Sequence, residues 1–334
     1  MFPPGGYLAV SFFFVLSGFS MTIGYRDRVN QLCFSYSSYI TKRLTKFFPI
    51  HWLILFYIVF TQFSNLVKQD FFWAKLTVNF LLLQSFVPLK DFYFSFNSPS
   101  WYLCNTLFYC LLFPFILRFI CNSSKKRKII IIVTLVFLYV LLVIIVPKPY
   151  HHAVLYVNPF VRIIDFVIGI YTGLFFLKQY EKFQQGETLK YNNVWLLLVT
   201  ILCFVIVAFL SFYNIDSIVK SYIVKFYWLI FSPMIFTVSL KSVVWKKTQR
   251  GGLINSTLQS AGKYSFTFYM IHFVCIGFFD AICTKYGVTM WGKVFITYFA
   301  TLVFAILCQK IFVEPVGNFL NNYLNNKRHG IYKN

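Results

Sequence analysis

The stretch Lys125-Lys126-Arg127-Lys128-Ile129-Ile130-Ile131-Ile132-Val133-Thr134-Leu135-Val136-Phe137-Leu138-Tyr139-Val140-Leu141-Leu142-Val143-Ile144-Ile145-Val146 opens on four cations and then runs to Val146 without a charge. An apolar run of this kind approaches the ~20 residues that an α-helix needs to cross a bilayer. It shows no alternation of polar and apolar residues, which a transmembrane β-strand would require. Trp195 to Phe212 reads the same way.

Working outward from that run, the composition repeats the message along all 334 residues. The chain is 59% hydrophobic and 12% charged, about half the roughly 25% charge of a soluble domain. Aromatic residues make up 22%, which leaves no room for a water-soluble globule. Further apolar runs cover 7–25, 47–64, 101–121, 159–180, 194–213, 222–243, 264–284 and 291–313. The sequence therefore predicts an all-α, polytopic integral-membrane helical bundle of about nine crossings. The segment 74–88 is short and interrupted, and reads as re-entrant or interfacial.

Net charge is +22, from 31 basic and 9 acidic residues. The cations sit in short loops between apolar runs rather than on one polar face, so no nucleic-acid partner is expected. With nine crossings, 22 cations gather on one side, including Arg26, Arg28, Lys125–Lys128, Lys190, Lys241 and Lys327, against eight on the other, among them Lys68, Lys75, Lys90, Lys148, Lys220 and Lys225. The excess of cations marks the cytoplasmic side. This places the C-terminus in the cytoplasm and Met1 outside, in a bacterial inner membrane. Residues 1–318 read as one membrane domain and 319–334 as a short basic cytoplasmic tail. Met1 is followed by Phe2-Pro3-Pro4-Gly5-Gly6 with no basic region, so no cleavable signal peptide is read, and the topology asks for one more crossing ahead of Gly6.

Eight cysteines show no CxxC spacing and fall mostly inside apolar runs, so they read as small core residues rather than as disulfides or metal ligands. No metal site is expected from His151-His152 or His329 either.

Three stretches could carry chemistry. Arg162 and Asp165 stand one helical turn apart within an apolar run, where ionisable residues are costly unless paired or functional. They read equally as a neutralised packing pair and as part of a site. Gly169 and Gly173 on the same run read as a close helix contact. His272 follows Tyr269-Met270-Ile271 and reads as a hydrogen-bonded core residue or as a catalyst. Arg43 and Lys46 lead into Phe47-Phe48-Pro49, and two cations one turn apart either anchor the helix end or hold a phosphorylated ligand.

Taken together, several stretches resemble, in order, the integral-membrane acyltransferase 3 family. They are Gly6 to Phe19; Lys42 to Pro49; Leu81-Leu82-Leu83-Gln84-Ser85-Phe86; Pro99-Ser100-Trp101-Tyr102-Leu103 running to Phe113-Pro114; Arg162 to Gly169; Tyr264 to His272; and Phe312-Val313-Glu314-Pro315. The resemblance implies an O-acyltransferase that moves an acyl group, acetyl in the leading reading, from acyl-CoA to a hydroxyl of a surface polysaccharide such as an O-antigen or capsule, or of its lipid-linked precursor. Acyl-CoA would be a donor substrate bound from the cytoplasm, and no resident cofactor is implied. Arg43 and Lys46 occupy the family's paired-arginine motif at the donor phosphates, Lys46 standing for an arginine. Arg162 and Asp165 occupy its Arg-x-x-Glu position, and Thr106 stands where many relatives carry Glu.

By the same resemblance the family's general base is a histidine on a helix that would lie upstream of Met1, so no residue here is assigned that role. Met1 then reads as a late or misassigned start, or the gene as degraded. Arg162, Asp165, His272 and Trp101 are the expected supporting residues. Two further readings stand beside the enzyme: a transporter or flippase of a glycan or lipid intermediate, and an inactive truncated paralogue.

Overall fold

The computed structural model describes residues 5–29, 31, 34–186, 193–212, 224–247 and 252–331. Of the cations used for orientation, Lys190, Lys220, Arg250 and Lys333 lie outside them. Every regular element among the described residues is helical. The long helices are α1 (Gly5–Val29), α2 (Tyr36–Leu66), the short α3 (Phe72–Phe80), α4 (Ser100–Cys121), α5 (Lys125–Ile145), α6 (Pro159–Gln184), α7 (Asn193–Phe212), α8 (Trp228–Lys247), α9 (Gly252–Lys285), α10 (Met290–Cys308) and α11 (Glu314–Ile331). Seven stretches are long and apolar enough to cross a membrane, in α1, α2, α4, α5, α6, α9 and the run Met290–Leu324; Leu197–Ile206 and Trp228–Val243 are shorter apolar helices. The protein is thus an all-α, multi-pass membrane protein.

The quoted stretch forms α5. Its first turn is closed by Ser124, whose hydroxyl accepts from the Arg127 amide at 3.3 Å. Twenty-one residues span about 31 Å at 1.5 Å each, the thickness of the hydrocarbon layer. Ile130, Val133, Phe137 and Ile144 are exposed on it while Tyr139 and Val143 are buried, the reverse of a soluble helix and what lipid contact requires.

The chain divides into two compact units. The first comprises Met1–Phe34 and Leu111–Gly252, the second Ser35–Cys110 and Leu253–Asn334, so that α4 contributes its first half to the second unit and its last half to the first.

In the first unit α1 and α6 meet backbone to backbone. A Cβ at Gly18 would lie 2.1 Å from the Phe166 carbonyl oxygen, and one at Gly169 2.1 Å from that of Val15. Only hydrogen fits, and the close approach lets Phe14, Val15 and Phe166 pack without exposure. Gly173 packs in the same way on Thr22. The segment Lys148–Val157 that precedes α6 is held by His151. Its Nε2–H donates to the Val146 carbonyl at 2.8 Å, which leaves Nδ1 to accept from the Lys225 ammonium at 2.7 Å.

In the second unit α2 contains Pro49 and loses helical geometry at Gln62 (φ −123°, ψ 17°). Of the segment 74–88, the part up to Phe80 lies in α3, whose nine residues reach only about 14 Å, too short to cross. It stops because Leu82 turns to φ 56°, a left-handed conformation. Two carbonyls at its end also accept from α2: His51 Nε2–H donates to Asn79 O at 2.7 Å, which already accepts from the Leu82 amide, and Trp52 Nε1–H donates to Phe80 O at 3.0 Å. The irregular chain that follows is tied by side-chain amides and hydroxyls, Gln84 to Ser100 Oγ at 3.0 Å, Ser85 Oγ to Trp101 O at 2.8 Å and Asn97 Nδ2 to Met270 O at 3.1 Å. After α10 a π-helical segment, Gln309–Val313, leads into α11. The start of the expected basic tail is therefore helical, and α11 packs on α2 through Thr45 Oγ1, which bonds Asn321 Oδ1 at 3.0 Å. All seven described cysteines are free, and no cluster of metal ligands occurs among the described residues.

Two outcomes follow from the first unit. Gly169→Ala should lower thermal stability by about 1–3 kcal/mol, the usual cost of overpacking, whereas Gly24→Ala, whose Cβ meets nothing within 4 Å, should leave it unchanged; melting of the detergent-solubilised variants decides. His151, which lies outside the spans, has its pKa lowered mainly by burial, with Lys225 adding to the effect. The unfolded chain therefore takes the proton first as pH falls below the ordinary histidine value of about 6.5, and stability should drop on acidification. Melting temperature should fall between about pH 7 and about pH 5, and fall less in His151→Gln.

Candidate active site

The sequence-predicted residues divide between the units. Arg43, Lys46, Trp101 and His272 stand in the second, Arg162 and Asp165 in the first.

Arg43 and Lys46 lie one turn apart on α2, next to Thr45, which is buried against α11. The Arg43 guanidinium lies 5.3 Å from the Tyr39 ring centroid, and the Tyr39 hydroxyl donates to the Cys110 carbonyl at 2.8 Å, so the cation rests on an aromatic that is itself pinned to α4. Lys46 lies 5.9 Å from the Phe266 ring and forms no ion pair among the described residues. Two cations with aromatic support suit a multiply charged anion such as a diphosphate.

Trp101 and His272 are brought into one neighbourhood by Tyr269. Its ring packs edge-on against Tyr102 at 5.1 Å, its hydroxyl reaches the Pro99 carbonyl at 3.5 Å, and its own carbonyl accepts from Nδ1 of His272. That bond leaves the lone pair of the His272 imidazole on Nε2. The Trp101 side chain is buried, and its carbonyl is held by Ser85. The Leu81–Phe86, Pro99–Leu103 and Tyr264–His272 stretches are therefore linked in space, directly or through one residue. Trp101 and His272 line neither the cavity of about 950 Å³ nor the one of about 410 Å³ found in this unit.

Arg162 and Asp165 form a closed assembly. Nη2 of Arg162 lies 2.9 Å from Asp165 Oδ2 and 2.8 Å from Ser11 Oγ, and the two side chains are 1% and 0% exposed. The Phe14 and Tyr156 rings lie 5.5 and 5.6 Å from the guanidinium carbon. The carboxylate approaches the guanidinium off the angle of a good hydrogen bond, and its Oδ1 accepts none among the described residues. Of the two readings that the sequence leaves open, this enclosure is the geometry of a packing pair that also fixes α1 against α6.

The sequence reading passed over Ser11, Trp52, Asn79 and Asn97, and it put His51, here 1% exposed, at the interface. Each is a hydrogen-bonding residue within or beside an apolar segment, a visible signal; what it bonds to depends on the fold.

Arg162→Met should destabilise the fold by about 3–5 kcal/mol, because Asp165 would be left buried without its counter-ion. Arg162→Met with Asp165→Leu should recover most of that loss, as melting temperatures of the purified variants would show. A double variant no more stable than the single one would mean that the charges are not mutually compensating.

Comparison with known proteins places this geometry. The family described as the acyltransferase domain matches residues 2–310, nearly the whole chain. The chain is also similar to the acyltransferase MdmB of Streptomyces mycarofaciens, 24% identical over 299 residues that cover 81% of this chain and 68% of that protein. No solved structure matches significantly. A match along this length, on an all-helical membrane fold, shows that the chain belongs to the acyltransferase 3 family of membrane acyltransferases.

Proposed function

We propose that the protein is an acyl-CoA-dependent O-acyltransferase of the bacterial inner membrane that acylates, with acetyl as the leading group, a hydroxyl of a surface polysaccharide or of its lipid-linked precursor. The observation that carries this reading is the family match from residue 2 to residue 310. The two cations on α2 supply a local reason for the donor.

In the reaction the acceptor oxygen attacks the thioester carbonyl carbon, the C–O ester bond forms, the C–S bond breaks, and the acceptor's proton ends on the CoA sulfur. Arg43 and Lys46 bind the donor's diphosphate from the cytoplasmic side, the side that the excess of cations assigns to the start of α2 and to the C-terminus. Trp101 and His272 support the acyl path within the second unit, and Arg162 with Asp165 contributes by holding α1 on α6. The general base is not assigned to any of these residues.

Membranes carrying the protein should transfer label from radiolabelled acetyl-CoA to the glycan fraction. Arg43→Ala should raise the KM for acetyl-CoA about tenfold, the loss of one charge-assisted contact of about 1.5 kcal/mol, with kcat within about twofold. Lys46→Arg should retain or improve donor affinity. A fall in kcat with unchanged KM in Arg43→Ala would remove the donor-binding role.

A further inference from the structure

The second unit contains a cavity of about 950 Å³ that the donor-binding reading does not use. It is walled by the end of α2, by Lys68 to Asp70 after it, by the start of α3, by residues 90–96, which open on a single helical turn, and by the face of α9 that carries Phe273, Gly277 and Phe278. Lys75 lines it, although only 8% of that residue is exposed. Its ammonium faces the Phe92 ring at 6.0 Å and forms no ion pair or hydrogen bond among the described residues. Its Nζ is not among the sealed polar atoms, so the ammonium looks onto the cavity, and an anion seated there can pair with it. Lys68 and Lys90 add two cations to the same wall, and Asp70 and Asp91 add two carboxylates, with no ion pair among the five. The wall is left with one net positive charge and two hydrogen-bond-accepting groups.

A second cavity of about 410 Å³ shares Tyr57, Val274 and Phe278 with the first. The rest of its lining is apolar, from Leu53 and Ile54 on α2 to Cys275 and Phe279 on α9 and Phe304 on α10. Phe278 and Phe304 are exposed on helices that span the membrane, so this compartment opens to lipid. A charged compartment and an apolar one with a common wall have the two-part chemistry of an amphiphile.

We propose that this pair of cavities seats one lipid drawn laterally from the bilayer, a phospholipid with a single phosphodiester and a hydroxylated head. The phosphate neutralises Lys75, with Lys68 and Lys90 beside it; Asp70 and Asp91 accept from the head-group hydroxyls; one chain fills the apolar compartment. The assignment rests on the cavity alone and holds whether or not the protein transfers acyl groups.

Gly277 provides the test. It lines the charged cavity, and a Cβ there meets nothing within 4 Å, so Gly277→Leu starts its side chain in open space and narrows the cavity at the wall that the two compartments share. The full chain, purified in detergent, would be titrated with phosphatidylglycerol, with diacylglycerol of the same chains and with inorganic phosphate, and bound lipid counted by native mass spectrometry. Phosphatidylglycerol should bind at least tenfold more tightly than diacylglycerol. Lys75→Gln should remove that preference, and Gly277→Leu should abolish lipid binding at an unchanged melting temperature. Equal binding of the two lipids, a preference that survives Lys75→Gln, or displacement of phosphatidylglycerol by equimolar inorganic phosphate would each overturn the proposal. If Gly277→Leu fails to fold, Lys75→Gln, which removes an unpaired buried charge, decides alone. Acetyl transfer measured on the same samples reports separately on the proposed enzyme.

Discussion

Hydrocarbon cannot hydrogen-bond, and every polar group of this chain that enters it needs a partner from the protein itself. Long helices meet that demand internally. The exceptions are where the structure becomes specific. The carbonyls at the end of α3 take their protons from His51 and Trp52, and the irregular chain between α3 and α4 is tied down by Gln84, Ser85 and Asn97. Remove these donors and the backbone where this helix stops short of crossing would lose bonds that hydrocarbon cannot replace. The same demand explains Arg162, whose cation is met by Asp165, Ser11 and two aromatic faces.

A second constraint is that lipid offers helices little hydrophobic reason to associate, so contact has to come from fit. Gly18 and Gly169 provide it by removing the side chain where α1 crosses α6. Van der Waals contact between backbones then positions the aromatic side chains on either side, among them Phe14 and Phe166, and Phe14 is one of the two rings that enclose Arg162. Helix fit and charge burial are therefore a single construction in the first unit.

Much of this was legible in the chain. Apolar runs at 129–146 and 264–284 became α5 and most of α9 because run length decides crossing when every backbone bond must close within one helix. The break in 74–88 was legible because a run too short to cross has to turn back or stop. The i,i+3 spacing of Arg162 and Asp165 made their pairing readable, and the Gly169/Gly173 pattern their helix's close contact. What could not be read were partners distant in sequence. Nothing local to Ser11 points to Arg162, and nothing local to Tyr269 points to Pro99 and Tyr102. Lys75 reads in the sequence as one more loop cation, and only the fold shows it buried.

The π-helical segment Gln309–Val313 has a consequence for register. A π turn holds one residue more than an α turn, so everything after it is rotated by about 100° from where a continuous α-helix would have put it. In this phase Gln309 meets Thr267 at the start of the turn, and Glu314, one residue beyond it, meets Lys263 at 2.8 Å. The same phase brings Asn321 to Thr45 and sets Gly317 against the Thr45 backbone. One inserted residue thus works as a splice: it allows α10 to keep a lipid-facing apolar surface while α11, continuous with it, presents a polar edge to α2. Loss of one residue there would leave both helices intact in composition and length but out of phase, with the polar edge of α11 turned away from the helix that carries Arg43 and Lys46.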